Sequence, residues 1–148
     1  MSTELFMEQF IEFLANHPML AAAWVGIFIA IVVTSIKIKL SPVKQFSPQE
    51  LTLAVNREQG VVLDIRAEKE FKAAHIIDAI HLAKEKIDNN DFAALEKHKD
   101  KPIIVVCTAG ITAAKVAEQL FKAGFTQASL LKGGMNAWTG AGLPVVKK

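Results

Sequence analysis

The fold turns on the stretch IIVVCTAGITAAKVAEQLF, residues 103–121. Ile103 to Val106 form an uninterrupted apolar run, the mark of a short strand buried on both faces. Thr108-Ala109-Gly110 is a turn of small residues. After it, Ala113, Val116, Ala117, Leu120 and Phe121 recur at helical spacing. The single cysteine of the chain, Cys107, stands where the strand ends and one tight loop before a helix begins. In an open α/β sheet, ligands bind beyond the carboxyl ends of the strands. Backbone N–H groups of residues 108–112, backed by the positive end of a helix, form an anion cradle and favour a thiolate. A small buried hydrophobe at a strand end is the plainer role for such a cysteine. The strand, small-residue loop and helix around it point instead to a reactive thiolate.

Outward from this unit, strands and helices alternate. Ser47-Pro48-Gln49-Glu50 reads as a helix start, with Ser47 as N-cap and Glu50 closing a capping box. Helices are expected over 48–57, 68–73, 91–98, 111–123 and 134–141, with Gly124 stopping the fourth. Strands are expected at Val61–Ile65, Ala79–Leu82, Ile103–Val106 and Ala128–Leu131. This order implies an α/β fold, a largely parallel sheet with helices on both faces.

The N-terminal part is different in kind. MLAAAWVGIFIAIVVTSI, residues 19–36, holds no charge and no polar stripe. As a helix it spans roughly 27 Å, about the thickness of a bilayer's hydrocarbon core. A cleaved signal peptide would have a basic leader, whereas Glu4, Glu8 and Glu12 are the only charged residues before the run. The segment is therefore expected to be a retained, single-pass transmembrane helix. Lys37, Lys39 and Lys44 follow it and nothing basic precedes it, which places the C-terminal domain in the cytoplasm and the N-terminus outside. Residues 1–18 are expected to be a short amphipathic segment, 37–46 a linker and 47–148 the folded domain.

All 17 Lys and Arg lie in residues 37–148, against 12 acids, a net +5. They are scattered, without interleaved aromatics, so nucleic acid is not expected as a partner. One cysteine rules out an internal disulfide or a cysteine-based zinc site. His17, His81 and His98 lack metal-ligand spacing, so no metal is expected. Asp64 and Arg66 read as an ion pair bracing a strand end, and His75 as a histidine fixing a turn. Gly110 and Gly133-Gly134 mark backbone that needs left-handed conformations. Trp138 reads as core.

Residues 46–146 resemble a single-domain rhodanese, of the sulfurtransferase family. Four stretches carry the resemblance: VVLDIRAEKEFKAAHIIDAIHL (61–82), IIVVCTAGIT (103–112), AEQLFKAGF (117–125) and LKGGMNAWTGAGLPV (131–145). It implies that Cys107 carries a sulfane sulfur as a persulfide, cradled by the loop Cys107, Thr108, Ala109, Gly110, Ile111 and Thr112. It implies no cofactor. A donor would be a small sulfur compound or a protein persulfide, and the acceptor a small thiol or a protein thiol. Membrane-anchored, cytoplasm-facing rhodaneses occur in bacteria, so the resemblance also implies the inner membrane, with a membrane-protein partner possible. The sequence departs from the family at Thr112, where many active members carry Arg. Without that charge, thiosulfate is a poor donor and phosphoryl transfer lacks its electrostatic support. The neutral loop leaves a second reading open: a membrane-tethered interaction module with weak or no catalysis.

Overall fold

The computed structural model describes residues 2–148. They fall into two units, divided between Ser41 and Pro42.

The first unit holds two helices, α1 (Ser2–Asn16) and α2 (Pro18–Leu40). Pro18 occupies the first turn of α2, where its missing N–H costs nothing. Pro18–Lys37 is the one helix among the described residues long and apolar enough to cross a membrane, and none of its residues is buried within the chain. The helix continues through Lys37 and Lys39 to Leu40, part of the stretch expected to be linker.

The second unit is a five-stranded, wholly parallel sheet in the order β1-β5-β4-β2-β3. Its strands are β1 (Lys44–Phe46), β2 (Val61–Asp64), β3 (Ile80–His81), β4 (Ile103–Val106) and β5 (Ala128–Leu131). The helices are α3 (Pro48–Glu58), α4 (Glu68–Ala73), α5 (Lys84–Asp88), α6 (Ile111–Lys122) and α7 (Gly134–Gly140). The capping box on α3 is formed: Ser47 N–H donates to Glu50 Oε2 at 2.7 Å, and Glu50 N–H to Ser47 Oγ at 3.3 Å.

β4 lies at the centre because it is apolar on both faces. Ile103, Ile104, Val105 and Val106 are all fully buried. Ile103 and Val105 join Leu63, Ala113, Ala117 and Leu120 in the core beneath α6. Ile104 and Val106 join Leu51, Leu131, Met135 and Trp138 in the core under α3 and α7. Burial of side chains this size is worth about 1.5–3 kcal/mol each. Trp138 also satisfies its indole N–H, which donates to Pro144 O at 3.0 Å.

Three expectations need correction. The linker 37–46 contains β1, which pairs with β5 at the sheet edge, and Val43 just before it is buried in the core, so the folded domain begins at Pro42 rather than residue 47. α5 over Lys84–Asp88 was not anticipated; its one buried side chain, Ile87, gives no apolar period to read. The segment expected to be a helix over 91–98 is a 3-10 helix at Ala93–His98.

Candidate active site

β4 delivers Cys107 to the carboxyl edge of the sheet, and α6 starts four residues later. The side chain is only 6% exposed. Its Sγ accepts the N–H of Gly110 at 3.0 Å. Gly110 closes this turn with φ +90°, a conformation that L side chains rarely adopt. Among the described residues, the N–H groups of Thr108, Ala109, Ile111 and Thr112 carry no hydrogen bond. Ile111 and Thr112 are the first residues of α6, where helical N–H groups have no partner within the helix. The loop thus pairs the sulfur with one backbone N–H and keeps further unbonded N–H groups in the same turn, a composition that suits an anion.

A second turn holds the loop in place. Met135 N–H donates to Cys107 O at 2.8 Å, and Asn136 N–H to Thr108 O at 3.1 Å. Both donors belong to the start of α7. They approach so closely because residue 134 is glycine: a Cβ there would lie 2.3 Å from Cys107 O and 2.7 Å from Thr108 O. Gly134 also has φ +57°. The Gly133-Gly134 turn is therefore a backbone clamp on the cysteine loop, a role that the sequence reading did not assign to it.

Cys107, Thr108, Ala109, Ile111 and Thr112 line an open hollow of about 240 Å³, together with Ile65 and Arg66. Ile111 is 83% exposed at its lip. Arg66 is the only charged side chain in the lining, and its charge is engaged. Its Nη2 pairs with Asp64 Oδ2 at 2.6 Å and donates to Ala74 O at 2.6 Å. Asp64 is 1% exposed, so the pair is a buried brace between the end of β2 and the end of α4. Asp64 and His75 do not reach the hollow. His75 Nδ1 bonds Phe71 O at 2.7 Å, fixing the turn after α4. Glu70, which the sequence reading left outside the site, stands beside it: Thr108 Oγ1 donates to Glu70 Oε1 at 3.4 Å. This carboxylate adds negative charge next to a loop that has no cationic side chain of its own.

Among the described residues no cluster of His, Cys, Asp and Glu could hold a metal ion. A parallel sheet with a lone cysteine in the loop between β4 and α6 defines an α/β domain with its cysteine at the carboxyl edge of the sheet. The chain belongs to the rhodanese-like family: the model of the rhodanese-like domain matches residues 47–141. It is 40% identical over 141 residues, covering 95% of this chain and 99% of the relative, to an uncharacterized protein, YibN, of Escherichia coli. It is 33% identical over 95 residues to the thiosulfate sulfurtransferase GlpE of Coxiella burnetii, covering 64% of this chain and 86% of that protein. A rhodanese-related protein from Thermoplasma volcanium superposes with a TM-score of 0.63 at 25% identity, over 71% of this chain and 99% of that one.

Proposed function

We propose that the protein is a membrane-anchored sulfurtransferase that carries sulfane sulfur on Cys107. The observation that supports this reading is the cysteine loop: a sulfur already accepting the Gly110 N–H, in a loop whose other four N–H groups carry no hydrogen bond among the described residues. In the first half-reaction the Cys107 thiolate attacks the sulfane sulfur of a donor and the donor's S–S bond breaks. The sulfur stays on Cys107 as a persulfide, and the open N–H groups receive its charge. An external thiophile then takes the outer sulfur and regenerates the thiolate. No second cysteine exists in the chain to intercept it. α2 holds the domain at the cytoplasmic face of the inner membrane, in the orientation set by Lys37 and Lys39.

The test is intact mass of the full-length protein after incubation with a sulfur donor. A gain of about 32 Da, one sulfur atom, is expected. It is expected to vanish on addition of cyanide and to be absent in Cys107→Ser. No gain from any donor on folded protein would overturn the reading.

One observation favours a second reading, a tethered interaction module. Ile111 exposes an apolar side chain at the lip of a hollow whose loop lacks a positive side chain. Under that reading a membrane-protein partner covers Ile111, and Cys107→Ser leaves its binding unchanged.

A further inference from the structure

The Cys107 hollow does not end at Arg66. A second hollow, about 450 Å³, abuts it and shares Ile65 and Arg66 as a common wall. Its lining is of mixed charge: Arg66 and Lys84 on one side of the balance, Glu68 and Glu85 on the other, with His81 between the loops. The mechanism above uses none of these groups. Two of them are spent. Glu68 pairs with Lys72 at 2.7 Å, which holds its carboxyl below the usual range. His81 Nε2 is bonded to Arg66 O at 2.8 Å. The others are open. Glu85 has no ion pair among the described residues, and Lys84 touches Asp88 only at 3.5 Å. Arg66 is fixed through Nε and Nη2, which leaves Nη1 as a spare donor on an immobilised guanidinium.

Resting on the sulfur-carrier reading, we infer that this second hollow binds the body of the sulfur donor, a small peptide persulfide carrying both carboxylate and ammonium groups. The carboxylate meets Arg66 Nη1 and Lys84, and the ammonium meets Glu85. A dianion as small as thiosulfate would leave Lys84 and Glu85 unused and would sit beside the Glu70 carboxylate. An uncharged persulfide would leave Glu85 and Arg66 Nη1 unused. In the transfer, Cys107–S⁻ attacks the outer sulfur of R–S–SH. The S–S bond between the inner and outer sulfur breaks, and R–S⁻ leaves with the electron pair. The outer sulfur arrives as Cys107–S–SH and gives its proton to solvent to leave the persulfide anion, so no oxidant or reductant is needed.

Two measurements on the full-length protein in detergent test this. The first needs no sulfur transfer: S-methylglutathione, which cannot react, is added while iodoacetamide alkylates Cys107. S-methylglutathione is expected to slow alkylation, and uncharged 2-(methylthio)ethanol to have no effect. Lys84→Glu and Glu85→Lys, both at exposed positions, are each expected to weaken the protection about fivefold, the size of one solvent-accessible charged contact. The second measurement follows the gain of sulfur from glutathione persulfide and from mercaptoethanol persulfide. Each variant is expected to raise the KM ratio of the first donor to the second, with kcat for glutathione persulfide retained. Sulfur gain without protection, or protection indifferent to both variants, overturns the donor site and leaves the carrier standing. Protection without sulfur gain from any donor overturns the carrier, and the donor assignment with it.

Discussion

At the scale of single residues, two positions around Cys107 have separable roles. Gly134 acts on the loop's shape. Alanine there would set a Cβ against the carbonyls of Cys107 and Thr108 in a left-handed conformation. Overpacking and the positive φ together cost about 3 kcal/mol. Gly134→Ala is expected to lower the urea midpoint accordingly, and whatever fold survives should alkylate faster at Cys107, because the clamp is gone. Unchanged stability would mean that the turn has room the structure does not show. Thr112 acts on charge alone, since it is exposed in the first turn of α6. Thr112→Arg supplies the cation that the loop lacks, and is expected to raise the rate of sulfur gain from thiosulfate about tenfold or more, as a charge-assisted pair allows. Equal rates would show that the neutral loop does not set donor preference. The cysteine, its loop and the missing Arg were all legible in sequence, because each is a matter of residue type and order. Glu70 and the Gly134 clamp were not. Both act across the fold, 37 and 27 residues from Cys107 in sequence, and only packing brings them there.

At the scale of elements, the legible ones were those whose apolar pattern is complete. β4 and β5 are buried throughout and were expected with their observed ends. α6 buries Ala113, Val116, Ala117 and Leu120 on one face, the period read from the chain. β1 was missed because only three residues form it, of which Lys44 and Gln45 are exposed. Edge strands carry little pattern, since one flank has no neighbour. The structure nevertheless makes β1 part of the domain. It pairs Phe46 with Leu131, and Lys132 N–H donates to Phe46 O at 2.9 Å. A fragment Pro42–Lys148 is therefore expected to fold. One beginning at Ser47 loses β1 and the buried Val43, leaves β5 as a bare edge, and is expected to be about 3–5 kcal/mol less stable and prone to aggregate. Urea titration of the two fragments compares them directly, and equal midpoints would mean that β1 is an ornament of the edge. A second element carries a pH signature. In the 3-10 helix at Ala93–His98, His98 Nδ1 is buried without a hydrogen-bond partner among the described residues. Burial first, then Lys97 and Lys101, hold the imidazole below its ordinary 6.5. The folded state thus resists a proton that the unfolded chain accepts. This contribution to stability is whole above pH 6.5 and is lost as pH falls through the lowered folded value. The stability gap between wild type and His98→Gln should shift against the wild type across that fall. A gap constant with pH would remove His98 as the source.

At the scale of the whole molecule, the chain joins a helix without a buried residue to a domain whose core is enclosed. Twenty residues, Pro18–Lys37, include no buried side chain, although α1 lies against one side of the helix and lines a hollow with it. An exposed apolar surface of that extent is stable only where the solvent is itself apolar. A cleaved signal sequence satisfies the same condition for a short time, so the two fates must be told apart by what persists. The charges argue for retention. A signal peptide begins with basic residues, and here the flank before the helix carries Glu4, Glu8 and Glu12 while Lys37 and Lys39 come at its far end. Under the proposed membrane-anchored reading the same asymmetry would set direction, because basic residues beside a span stay on the cytoplasmic side. The protein is therefore expected in the membrane pellet after alkaline carbonate extraction, at its full mass of 16.2 kDa. In spheroplasts, protease added outside should leave the rhodanese-like domain intact and digest it only after lysis. A shortened, freely soluble product would assign the helix to a removed leader, and digestion before lysis would reverse the orientation. Lys37→Glu with Lys39→Glu removes the two charges nearest the span, each worth about 1 kcal/mol against an anionic leaflet. That variant is expected to expose a measurable fraction of the domain to external protease. If the orientation instead stays uniform, the two lysines do not set it, and the folding of the domain itself must be what keeps it from crossing.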